Sequence, residues 1–165
     1  MTSSHTNDTA HRLASLVACY VGDLEKLPGS QRLSQDSLAT VYAMACTLLQ
    51  SGQLPQASAY FSFLLLYAPT HPDYLCARAS CALQEGDPAL AMDLLSLALY
   101  VKPESCAIAL ALAEAMVGAG ANEGARPLLQ QILRLAALPA DATVRARAEL
   151  RLQTLQTEPA SHAAS

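Results

Sequence analysis

The chain has 165 residues, 52% of them hydrophobic and 15% charged, with a formal net charge of −4; an average protein is about 25% charged. That length suits one domain with a real core. An acidic balance disfavours a nucleic-acid partner, which calls for a basic face, and no apolar run reaches the ~18–20 residues of a membrane span, so neither nucleic-acid binding nor membrane insertion is expected.

Residues 1–9 are polar, rich in Ser and Thr and without a signal-peptide pattern, so they are expected to form a disordered tail. Residues 10–30 form an expected helical arm. Leu13, Leu16, Val17, Tyr20, Val21 and Leu24 recur at three-and-four spacing. The arm falls outside the periodic register of residues 34–139, which leaves two roles open for it: a cap on the first periodic unit or a dimerisation arm. Pro28-Gly29-Ser30 is a turn, after which Ser34 or Asp36 can cap a helix.

Residues 34–139 are one pattern written three times, as repeats over 38–71, 72–105 and 106–139. Gly52, Gly86 and Gly120 are spaced by 34 residues. Ala45, Ala79 and Ala113 lie seven residues before them, and Ala57, Ala91 and Ala125 five after. This period, with glycine between two helical halves, marks tetratricopeptide repeats. The glycines are expected to let the chain reverse where a side chain would clash, and the alanines to let paired helices approach. The helices are expected over roughly 37–51 and 55–68, then 72–85 and 88–101, then 106–117 and 123–136. Asp87-Pro88 is a good N-cap and first-turn pair, whereas Pro127 is expected to delay or kink its helix. Residues 140–156 are an expected capping helix carrying Arg145, Arg147 and Arg151, read as a solvated face rather than a binding patch. Residues 157–165 are an expected tail. The predicted architecture is all-α, a three-repeat solenoid with an arm before it and a cap after it.

No catalytic constellation is present: no nucleophile, base and oxyanion stabiliser recur together, and no phosphate or dinucleotide motif appears. His5, His11, His71 and His162 have no ligand partners at metal spacing. Cys19, Cys46, Cys76, Cys81 and Cys106 are an odd set of five without CxxC spacing, read as reduced thiols of a cytosolic protein. No enzyme, metal or cofactor is expected.

The first helix of each repeat carries two apolar stripes. Val41, Ala45 and Leu48, with Leu75, Ala79 and Ala82, and Ala109, Ala113 and Met116, contain the small residues that let helices meet. The second stripes are Tyr42, Cys46 and Leu49; Cys76, Ser80 and Leu83; and Leu110, Glu114 and Val117. These are expected to face the inner curve, where they either broaden the core or form a groove for an extended or partly helical peptide. Gln50 and Gln84 stand at its edge, able to hydrogen-bond a peptide backbone or simply solvated. Glu114 could supply one polar contact. A second excess lies in the next helix, where Tyr60, Phe61, Phe63, Leu64, Leu65, Leu66 and Tyr67 leave almost no polar face, and no Asp, Glu, Lys or Arg occurs between Ser37 and Pro72. A helix apolar all round is buried all round, so Phe63 and Tyr67 need a cover, either the arm or a second copy of the chain.

A helix before the repeats, then Leu33-Ser34-Gln35-Asp36-Ser37-Leu38, Tyr42, Ala45 and Ser51-Gly52, resembles the class II chaperones of bacterial type III secretion, over about residues 10–155. The resemblance implies a non-catalytic, cytoplasmic, homodimeric holdase whose partners are hydrophobic translocator proteins. It would hold a short proline- and leucine-containing segment of them in its groove before export. A chaperone of a needle or other export subunit, or a general tetratricopeptide scaffold, are the alternatives. On this resemblance Tyr42 matches a groove tyrosine, while Cys46, Leu49 and Leu95 stand where relatives often carry aromatics. Phe63 and Tyr67, together with Leu16 and Tyr20 of the arm, fall to the dimer interface.

Overall fold

The computed structural model describes residues 33–135 and 141–157. The expected arm with Leu16 and Tyr20, the N-terminal tail and all but the first residue of the C-terminal tail lie outside the described residues. Among the described residues there are seven helices and no strand: α1 Gln35–Gln50, α2 Leu54–Tyr67, α3 Pro72–Glu85, α4 Pro88–Val101, α5 Cys106–Gly118, α6 Asn122–Leu135 and α7 Ala142–Thr157. None of these helices is long and apolar enough to cross a membrane.

Helix starts follow local chemistry. Of the two candidate caps for α1, Ser34 takes the role, its hydroxyl accepting from the Ser37 N–H at 3.2 Å, while Asp36 lies in the first turn, where the helix dipole favours an acid. Asp87 accepts from the Leu90 N–H at 3.0 Å with Pro88 leading α4. Ser105 caps α5 in the same way. Pro127 does not delay α6, which starts five residues earlier at Asn122 and continues through it.

The three periodic glycines end three helices identically. Their φ angles are 76°, 80° and 76°, in the left-handed region that glycine adopts without penalty. After α1, the Gly52 N–H bonds the Leu49 carbonyl at 3.1 Å and the Gln53 N–H the Leu48 carbonyl at 2.9 Å. The same pair of bonds recurs at Gly86 and Gly120, which is the Schellman closure of a helix C-terminus. A Cβ at any of the three would meet nothing within 4 Å. The expected steric clash is therefore absent, and the backbone angle is what demands glycine.

The chain divides into two compact units, residues 1–74 and 75–165. In the first, α1 lies against α2. Ala45 and Ala57 are fully buried and let the helices close on Phe61 and Leu64, which are also fully buried; each large side chain contributes about 1.5–3 kcal/mol. In the second unit α5 packs on α4, α6 and α7. One apolar cluster joins Leu110 and Ala113 of α5, Leu129 and Ile132 of α6, and Ala148 and Leu155 of α7. The Arg126 guanidinium donates to the Leu155 carbonyl, satisfying one of the acceptors a helix end leaves open.

Candidate protein-binding faces

The two stripes expected on each first helix separate cleanly only on α3. Leu75, Ala79 and Ala82 are buried, at 1%, 1% and 0% exposure. One residue further round, Cys76 is partly buried, Ser80 and Gln84 are exposed, and Leu83 is 41% exposed. The Ser80 hydroxyl donates to the Cys76 carbonyl one turn back at 3.0 Å. This leaves an apolar residue beside small ones, with a glutamine amide at the edge. Such a face can take an apolar side chain of a visiting segment and hydrogen-bond its backbone.

On α1 the same stripe is half-closed. Tyr42, Cys46 and Leu49 are all partly buried, and Gln50 is exposed. The Tyr42 ring stands edge-on to Phe61 at 5.9 Å and tilted against Tyr74 at 5.3 Å. Tyr74 is itself stacked by His71 at 4.0 Å. Burial first, and the neighbouring Asp73 charge second, push the Tyr74 phenol above its ordinary pKa. Tyr42 is thus as much a core residue as a surface one, because Phe61 of α2 and Tyr74 at the start of α3 both meet its ring. Nothing in the repeat period announced that cluster.

On α5 the expected face is taken. Leu110 is only 3% exposed and belongs to the cluster that includes Ala148 and Leu155 of α7, and Val117 packs against the same cluster. Glu114 is met by α7 as well. Both of its carboxylate oxygens accept from Arg147 Nη2, at 2.8 and 2.7 Å, and Arg151 Nε stands 3.7 Å away. The helix expected only to close the end of the stack covers this stripe, since Leu110 and Val117 supply the apolar surface that α7 needs. Glu114 is the sole charged residue in α5, and an acid alone on an apolar helix was the available signal for a cationic partner. Leu95 is likewise no contact point: at 2% exposure it is core, on the side of α4 that also buries Ala91 and Ala98.

The apolar excess of α2 opens a hollow of about 530 Å³ lined by Leu33, Val41, Gln56, Ala59, Tyr60 and Phe63. Only Gln56 among these is strongly polar. Phe63 and Tyr67 lie against each other at 4.9 Å, both partly buried, and Leu66 beside them is 76% exposed. A smaller cavity of about 190 Å³ in the second unit is bounded by Leu99, Glu104, Cys106, Leu128 and Leu135. Burial first, then the Asp141 charge, raise the Cys106 thiol pKa, so this cysteine stays protonated and unreactive near neutrality. Among the described residues no three His, Cys, Asp or Glu side chains converge as a metal site.

No protein-family model and no curated protein sequence matches this chain. Solved structures do. PcrH from Pseudomonas aeruginosa aligns at 24% identity over 79% of this chain and 99% of its own, with a TM-score of 0.72. The Yersinia enterocolitica type III secretion chaperone SycD, in complex with a peptide of the translocator YopD, aligns at 20% identity over 76% and 97%, with a TM-score of 0.71. An alternative dimer of SycD aligns at 20% identity over 76% and 96%, also at 0.71. This chain has the fold of these chaperones, the all-α tetratricopeptide type.

Proposed function

We propose that this chain is a non-catalytic cytoplasmic chaperone of a bacterial type III secretion system. It holds a short segment of a hydrophobic translocator until export and works as a homodimer. The observation that carries the reading is the likeness to PcrH and SycD along nearly their whole length, with one of those structures holding a translocator peptide. Two faces are the candidates, one in each unit: Tyr42, Cys46, Leu49 and Gln50 on α1, and Cys76, Ser80, Leu83 and Gln84 on α3. The α3 face is the more open and the better first target. The mechanism is mass action: apolar cargo held on the chaperone lowers the free pool able to aggregate or insert early. The hollow lined by Phe63, with Tyr67 against that ring, suits a second copy of the chain, since an exposed apolar surface of this kind otherwise invites aggregation. SycD, which crystallised as dimers, supports that part of the reading.

Co-expression with a large hydrophobic translocator tests the proposal. The translocator is expected in the soluble fraction and co-purifying with the chain, whereas alone it pellets. A translocator that stays insoluble, while the chain instead binds partners already soluble by themselves, would favour a scaffold.

A further inference from the structure

The α5 stripe cannot offer a visiting segment an apolar anchor, because Leu110 and Val117 are already engaged with the cluster that α7 completes. What the structure presents there instead is positive charge. Glu114, its side chain 19% exposed, faces two arginines whose side chains are about half exposed, at 58% for Arg147 and 46% for Arg151. Arg145, on the same helix, is neutralised by Glu149 at 3.1 Å, so the excess of one positive charge stays with the other pair. A guanidinium has five N–H donors. Arg147 spends a single nitrogen on both Glu114 oxygens, and the Arg151 guanidinium, 3.7 Å away, makes no hydrogen bond among the described residues. The remaining donors of both forks lie on half-exposed side chains, where a second carboxylate can reach them.

We propose that Arg147 and Arg151 form a cationic clamp for an acidic side chain of the held segment, with Glu114 as the internal group that sets the two guanidiniums in place. The inference rests on the segment-binding reading above and adds to it the chemistry of one position: apolar contact on α3, a carboxylate at α5–α7. Arginine suits the task because its fork matches a carboxylate and is weakly hydrated.

The test uses two synthetic peptides of identical leucine- and proline-containing sequence, one with glutamate where the other has glutamine, and the full chain at low salt. The glutamate peptide is expected to bind about fivefold tighter, the upper range for a solvent-exposed ion pair. The preference should vanish in 1 M salt, where the screening length is about 3 Å. Arg147→Gln with Arg151→Gln should abolish the preference, so that the two peptides bind that variant with equal affinity. Glu114→Gln keeps an acceptor for Arg147 but removes the competing charge, so it should tighten the glutamate peptide by about a further twofold. Equal affinity of the two peptides for the wild-type chain would overturn the clamp and leave the segment-binding reading standing. So would a glutamate preference that persists in the doubly substituted chain, since the two arginines would then not be its source. If neither peptide binds, both ideas fall. The salt dependence is read on the wild-type chain, so the test survives a variant that does not fold.

Discussion

Tyr42 is the residue on which fold and binding compete, and its substitution can separate them. Its ring makes two aromatic contacts, with Phe61 at 5.9 Å and Tyr74 at 5.3 Å. Each such pair contributes about 0.5–1.5 kcal/mol beyond area burial, and the half-buried ring adds about 1 kcal/mol of hydrophobic transfer. Tyr42→Ala should therefore cost about 2–4 kcal/mol. For a chain of this size that lowers Tm by about 5–15 °C, read by circular dichroism at 222 nm. Tyr42→Asp should cost more, since its charge would face Phe61 and Tyr74; it is consequently no clean probe of binding. Leu83→Lys is the proper counterpart. Leu83 is 41% exposed in the last turn of α3, where a cation is favourable. Its Tm should stay within about 2 °C of wild type while affinity for a translocator segment falls about tenfold, the loss of one apolar anchor. A Tyr42→Ala chain melting within about 2 °C of wild type would refute the reasoning, because the two ring contacts would then be carrying no weight.

The same geometry sets three further outcomes. Phe63→Glu puts a charge into the 530 Å³ hollow and should convert a dimer to a monomer by light scattering; a wild-type chain already monomeric at micromolar concentration would contradict the dimer. Gly52→Ala forces alanine to φ 76° and should cost about 1–2 kcal/mol. Gly124→Ala, within α6, should be neutral or stabilising by up to about 1 kcal/mol; its Cβ presses only on the Met116 methyl, the free end of a flexible side chain, and equal Tm losses for the two would undo the distinction. Cys106 and Tyr74 both have raised pKa values in the folded chain. Their neutral forms are favoured by folding, so the stability they contribute is complete below the unfolded values of 9.0 and 10.0 and is lost as pH rises through the folded ones. Tm should fall more steeply above pH 9.0 in wild type than in Cys106→Ala, and parallel curves would assign the loss elsewhere.

The α3 face was legible in the sequence because periodicity alone decides which side of a helix is apolar, and alanine marks the side that meets a neighbour. The same argument failed on α5, where it placed Leu110, Glu114 and Val117 against a visitor. Periodicity reports that a stripe will be covered but not by what. Leu95 failed for a related reason: a resemblance supplied its role, while its own burial is set by the helices that surround α4.

Helix ends and helix starts were written in the order of the residues. The 34-residue spacing of glycines fixed three Schellman closures, because one backbone angle per repeat admits little else. Ser34, Asp87 and Ser105 fixed helix starts, because an N-cap is a contact between residues three apart. It took the packed fold to put Tyr42 among Phe61 and Tyr74, and to bring Arg147, 33 residues downstream, to Glu114. Those contacts join positions far apart in the chain, and no repeat period encodes which distant side chain will arrive.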